Sequence, residues 1–295
     1  MRSSSKIPVF KFLLALSVGV LAGCATAPVN YTAVDAPYAA PLVRVTAPRP
    51  VIGLVLGAGG SRGFAHVGVL KALEQAGIEA DVIVGVSSGA VVAALHAGGM
   101  RAAALESAAL EIEDNDLLDF TLFGPGMIEG GRLQDYINDM LRNRPIEALQ
   151  KPFAAVAAER ATNRMAVFNR GNTGLAVRAS ASVPKLFWPV LIRGTEYVDG
   201  GLASRVPASV ARDMGADIVI AVDVSWRGSV DVQQADIVIR PQTVRSRITD
   251  FSHKLANLAA GEAAALAVVP QVKALQVRVA AEKQQASQVG AARIP

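Results

Sequence analysis

Cysteine is almost missing: Cys24 is the single one in 295 residues, so no intrachain disulfide can brace the fold. Histidine is nearly as scarce, with only His66, His96 and His253. No Cys/His cluster has metal-ligand spacing, so neither a metal centre nor another cofactor is expected. Aromatic residues make up 5% and charged residues 18% of the chain, while 52% are hydrophobic. That balance excludes a disordered chain and leaves apolar material for one large core or two smaller ones. The formal charge of +4 is not a basic surface, because Arg2, Lys6 and Lys11 lie in the first 23 residues, which hold no acid. The remainder carries 26 basic against 25 acidic residues, and nucleic acid is not an expected partner.

Those three charges precede an apolar run from Phe12 to Ala22, too short to span a bilayer comfortably and typical of a secretory signal. It ends in Leu21-Ala22-Gly23-Cys24, which resembles the bacterial lipoprotein signal, cleaved before a cysteine that then receives acyl chains. The expectation is a signal peptide over 1–23 and a protein lipid-anchored through Cys24 in the cell envelope. No aspartate follows Cys24, which points to the periplasmic face of the outer membrane. Residues 24–49 hold Pro28, Pro37, Pro41 and Pro48 with little periodicity, and read as a flexible tether reaching roughly 25–30 Å.

From Val51 the texture changes. Apolar runs at Val51–Leu56, Val82–Val86, Phe153–Ala158, Met165–Asn169, Asp217–Ser225 and Asp236–Arg240 read as strands. Helical spacing appears over Phe64–Ala76, Gly89–Ala97, Arg101–Ile112, Leu133–Arg142 and Val206–Met214. Strands alternating with helices predict an α/β fold with a mostly parallel sheet between helical layers. The expected α/β domain covers 50–245. A helical extension covers 246–295, interrupted at Pro270; core packing or a solvated helix pair is favoured there over a helix laid on a membrane.

Gly85-Val86-Ser87-Ser88-Gly89 fits G-x-S-x-G between a buried strand and a small helix. A tight turn there projects the Ser87 hydroxyl above the sheet, with a helix N-terminus behind it to stabilise negative charge. Gly57-Ala58-Gly59-Gly60-Ser61-Arg62-Gly63 also joins a strand to a helix, and such a loop can aim backbone N–H groups at a phosphate or an oxyanion. A dinucleotide fingerprint needs glycine where Arg62 stands, and a P-loop needs Gly-Lys-Ser/Thr, so a nucleotide is the weaker reading. Asp199-Gly200-Gly201 follows a short strand and taken alone is an ordinary turn. The base that would activate Ser87 stays open at this level. His253 follows Asp199 in the order of an α/β-hydrolase triad, whereas His66 and His96 read as structural.

Together, Gly59-Gly60-Ser61-Arg62-Gly63, Gly85–Gly89 and Asp199-Gly200-Gly201 resemble the three ordered motifs of the patatin-like phospholipases. The flanks Phe64–Leu70 and Arg178-Ala179-Ser180-Ala181-Ser182-Val183-Pro184 match too, and the likeness covers roughly 51–240. Ala58 replaces the first of three glycines common in that family. The resemblance implies a three-layer α/β/α fold and a lipid acyl hydrolase with a Ser87–Asp199 dyad. It also implies an oxyanion hole from Gly59, Gly60, Ser61 and Arg62, and a membrane lipid or other fatty-acyl ester as substrate. Two alternatives stand beside it: a catalytically silent lipid-binding or scaffolding lipoprotein, and a Ser87–Asp199–His253 esterase.

Overall fold

The computed structural model describes residues 29–122, 124–225 and 230–291, so Cys24 and the signal-like segment lie outside the described residues. The strands are β1 (Asn30–Tyr31), β2 (Ile52–Leu56), β3 (Val82–Val86), β4 (Phe153–Glu159), β5 (Met165–Phe168), β6 (Val190–Ile192), β7 (Thr195–Asp199), β8 (Ile218–Val222) and β9 (Ile237–Ile239). The helices are α1 (Phe64–Gln75), α2 (Ser88–Ala97), α3 (Ala102–Glu111), α4 (Asp114–Leu117), α5 (Gly131–Met140), α6 (Thr173–Ala181), α7 (Ala208–Asp213) and α8 (Lys254–Ala291). Among the described residues the strands form one sheet in the order β1-β6-β7-β4-β3-β2-β8-β9, with β5 also paired to β4. The run from β4 to β9 is parallel throughout, whereas β7 is antiparallel to both β4 and β6.

Alternation along the strands divides the core into two layers. Leu54, Leu56, Ile83, Ala155, Ile218 and Ile220 face one side with α1, α2, α6 and α8. Val55, Val84, Val86, Val156, Val219 and Ala221 face the other, under Val210, Ala211 and Met214 of α7 and its flank. Because both faces are covered, the central strands read as unbroken apolar runs, and every residue of β2, β3 and β8 is buried.

The register of β4 creates the site. Its first half pairs with β3, ending at Val86↔Val156. Its second half runs past the end of β3 and pairs with the incoming β7, where Asp199 stands opposite Ala157. The residue after Val86 and the last residue of β7 therefore meet at one level of the sheet.

Two expectations are corrected. The described part of the 24–49 segment is docked rather than free. Here β1 pairs with β6, Asn169 exchanges hydrogen bonds with both the N–H (2.8 Å) and the C=O (3.0 Å) of Ala40, and Val45 N–H donates to Met214 O at 2.8 Å. Leu42 and Val45 thicken the thinner helical layer. The carboxyl-terminal helix is not interrupted either, since α8 runs through Pro270. Pro270 and Leu266 both lie on the exposed side, where a carbonyl that a proline deprives of its helical partner can be solvated. By length and composition α8 could cross a membrane, yet Leu258, Ala265 and Val272 are buried in the core. At the crossing of α1 and α8 a Cβ on Gly68 or on Gly261 would come within 1.9 Å of the opposing backbone, so only glycine permits this approach.

Candidate active site

Ser87 stands between β3 and α2 with φ 55° and ψ −127°. This left-handed conformation is strained for any residue with a Cβ, costing about 1–3 kcal/mol, and persists only when its surroundings enforce it. Ser180 supplies the enforcement. Its hydroxyl accepts from Ser87 N–H at 2.9 Å and donates to Val156 O at 2.5 Å, tying the turn to β4. Two residues on, Ser182 O accepts from Asp199 N–H at 2.8 Å. One end of α6 thus holds both the serine and the aspartate. Asn172 sets that helix's start, accepting from Leu175 N–H at 2.8 Å.

Asp199 is 6% exposed. Its Oδ1 accepts from Gly201 N–H at 2.7 Å, while Oδ2 is buried with no partner in a full hydrogen bond. Burial pushes its pKa up to about 6; the Ser87 hydroxyl, Gly201 N–H and the Arg205 charge pull the other way. The Ser87 hydroxyl is thus near enough to the carboxylate to favour its charged form.

Ser87 and Asp199 line a cleft of about 400 Å³ together with Gly59, Gly60, Arg62 and Arg205. In the glycine loop, Ala58 N–H is committed to Arg205 O (2.9 Å), Ser61 N–H to Ile248 O (2.8 Å) and Arg62 N–H to Gly59 O (3.3 Å). Among the described residues, no acceptor within the chain takes the N–H of Gly59 or Gly60. Of the four residues singled out from the sequence, these two carry the available donors. Gly60 has φ +57°, and a Cβ there would meet Ile248 Cβ at 2.6 Å. Arg62 is half-buried, and its pKa is lowered by burial and by Arg205.

The loop's shape depends on the carboxyl-terminal segment. Besides the Ile248 bond, Ser61 Oγ donates to Arg247 O at 2.9 Å and lies 3.0 Å from Ser246 Oγ. Asn257, buried in α8, accepts from Val244 N–H at 2.8 Å and so fixes the start of this strap.

No histidine lines the cleft among the described residues. His66 is fully buried beneath the loop with Nε2 2.8 Å from Gly57 O. Burial lowers its pKa to about 4, so the neutral ring donates to that carbonyl and braces the loop. His96 lies 3.0 Å from Met100 O, away from Ser87. His253 sits in an exposed turn 3.9 Å from Asp250, and the structure does not bring it to Ser87 and Asp199. No group of three or more metal-ligating side chains occurs among the described residues. The sequence reading assigned no role to Ser180, Ser182, Arg205 or Ile248. Ser180 and Ser182 had a signal in the small-residue run ahead of Asp199, whereas Ile248 had none.

The family model described as "Patatin-like phospholipase" matches residues 54–212, more than half of the chain. An uncharacterised NTE family protein of Mycobacterium tuberculosis is 33% identical over 179 residues, covering 60% of this chain and 49% of that protein. Patatin-like phospholipase domain-containing protein 6 of Mus musculus is 34% identical over 189 residues, covering 61% of this chain and 14% of that protein. The chain thus spans about half the length of the mycobacterial relative and much less of the mouse one. Among solved structures, VipD from Legionella pneumophila is similar at TM-score 0.49 and 12% identity, covering 80% of this chain and 70% of that one. The type III effector ExoU is similar at TM-score 0.47 and 19% identity, covering 75% and 53%. With the glycine loop, the serine turn and the aspartate all inside the matched span, the chain belongs to the patatin-like phospholipase family.

Proposed function

We propose that this protein is a membrane-tethered lipid acyl hydrolase, a phospholipase A, lysophospholipase or esterase working through a Ser87–Asp199 dyad. The observation that carries this is the buried Asp199 Oδ2, without a hydrogen-bond partner, in the same cleft as Ser87 and the amides of Gly59 and Gly60, which no acceptor among the described residues takes. Asp199 takes the Ser87 proton as Oγ attacks the ester carbonyl, and the two amides hold the oxyanion of the tetrahedral intermediate. Collapse releases the alcohol, which leaves with the proton from Asp199. Asp199 then deprotonates water for attack on the acyl-enzyme, and the second collapse frees the fatty acid and restores Ser87. A pKa near 6 leaves the carboxylate mostly ionised at neutral pH yet more basic than a solvated one, as a general base requires.

Substrate enters from a lipid surface, to which acylated Cys24 anchors the chain, at the periplasmic face of the outer membrane in the proposed setting. No metal, cofactor or nucleic acid takes part. The decisive experiment is product analysis on defined phospholipids, with fluorophosphonate labelling, for wild type, Ser87→Ala and Asp199→Asn. Released fatty acid and labelling of wild type alone are expected. Folded wild type that neither labels nor hydrolyses any ester rejects the enzyme in favour of a lipid-binding module.

A further inference from the structure

A second cavity of about 100 Å³ opens beside the catalytic cleft. Its walls come from α1, α2, α3 and α5 and include Val67, Val91, Leu105, Ala109 and Tyr136. Gly60 lines both spaces, so the oxyanion loop is their shared wall. The strap bridges them as well: Ile248 borders the cleft, and Phe251 borders the pocket, where its ring meets Phe64 edge-on with centroids 5.3 Å apart. Ser88, adjacent to the nucleophile, also lines the pocket. Its walls are almost wholly apolar, the environment least suited to a headgroup and best suited to hydrocarbon.

We propose that this pocket seats the carbons of the substrate's acyl chain nearest the ester, with the carbonyl held over Gly60 and the chain running under the strap. This deepens the hydrolase reading and rests on it for the identity of the ester. An apolar cavity of roughly 150 Å³ takes up a benzene ring, so this one holds about four carbons. The remaining chain length stays outside the pocket. Phe251, from the segment beyond the family-matched span, forms one wall and restricts the width of the acyl group accepted.

The test is a series of p-nitrophenyl esters from acetyl to dodecanoyl, with wild type, Ala109→Trp, Val91→Met and Phe251→Ala. For wild type, kcat/KM rises about fourfold per methylene while the pocket fills, then levels. Ala109→Trp fills the space and flattens that rise at least tenfold, with the smallest loss for the acetyl ester. Val91→Met, a milder filling, shortens the rise and covers the case in which the tryptophan variant does not fold. Phe251→Ala admits branched acyl groups that wild type rejects. In parallel, binding of a fluorescent fatty acid to Ser87→Ala protein is expected to be lost on adding Ala109→Trp. Equal effects of the filling variants on every chain length, or none, overturn the pocket assignment while leaving the hydrolase intact. Absent hydrolysis with fatty-acid binding that Ala109→Trp abolishes overturns the hydrolase and keeps the pocket.

Discussion

Replacing Ser87 with glycine and with alanine separates the cost of the turn from the chemistry it serves. Both variants lose the hydroxyl, so both are expected to be inactive. Alanine keeps a Cβ at φ 55° and ψ −127°, whereas glycine adopts that conformation freely. The strain released is about 1–3 kcal/mol, less about 0.5–1 kcal/mol for the greater freedom of glycine in the unfolded chain. Ser87→Gly is therefore expected to be more stable than Ser87→Ala by about 1 kcal/mol. Urea unfolding with an unchanged m-value reads the difference directly, and for a domain of this size it corresponds to a rise in Tm of about 2–4 °C. A glycine variant no more stable than the alanine variant would refute the idea that the protein sustains a strained nucleophile.

Four further outcomes follow from the same geometry. Because folding raises the Asp199 pKa from 3.8 to about 6, the folded state binds the extra proton; stability from this group is full below pH 4 and lost as pH rises through 6. Asp199→Asn should remove that slope and stabilise the protein at pH 7 by on the order of 3 kcal/mol. In the wild type, kcat/KM should climb with an apparent pKa near 6 as the base ionises, as a pH–rate profile would report. Ser180→Ala leaves Ser87 N–H and Val156 O unpaired, at about 1–3 kcal/mol each. It should lower kcat more than it raises KM, and an unchanged urea midpoint would count against the Ser180 link. Gly60→Ala forces a Cβ against Ile248 and should reduce kcat about 10²–10³-fold by displacing an oxyanion donor, as steady-state kinetics would measure.

Much of the scaffold is legible in the sequence, because β2, β3, β4 and β8 are covered on both faces and carry unbroken apolar runs. The serine turn was legible for a local reason: the strand, glycines and small helix that force it are contiguous. The partnership of Ser87 with Asp199 was not local. It depends on β4 overshooting β3 and accepting an antiparallel β7, a register that no single segment encodes. β1 escaped notice because two residues cannot display a period. α6 was missed although Asn172 capping Leu175 is a recognisable start signal; Gly174 and the serines masked its helical character. The available amides narrowed to Gly59 and Gly60 only once Ile248 was seen to occupy Ser61, a contact between residues 187 positions apart in the chain.

The docking of the amino-terminal segment changes what a lipid on Cys24 would do. Only a handful of residues separate that cysteine from Val29, where the described chain begins, and fully stretched they reach about 18 Å. Instead of roaming on a leash, the enzyme would sit flush against its own bilayer like a rivet, sampling the lipids directly beneath it. Lengthening this short stem with a glycine–serine insert would then widen the catchment without altering the cleft.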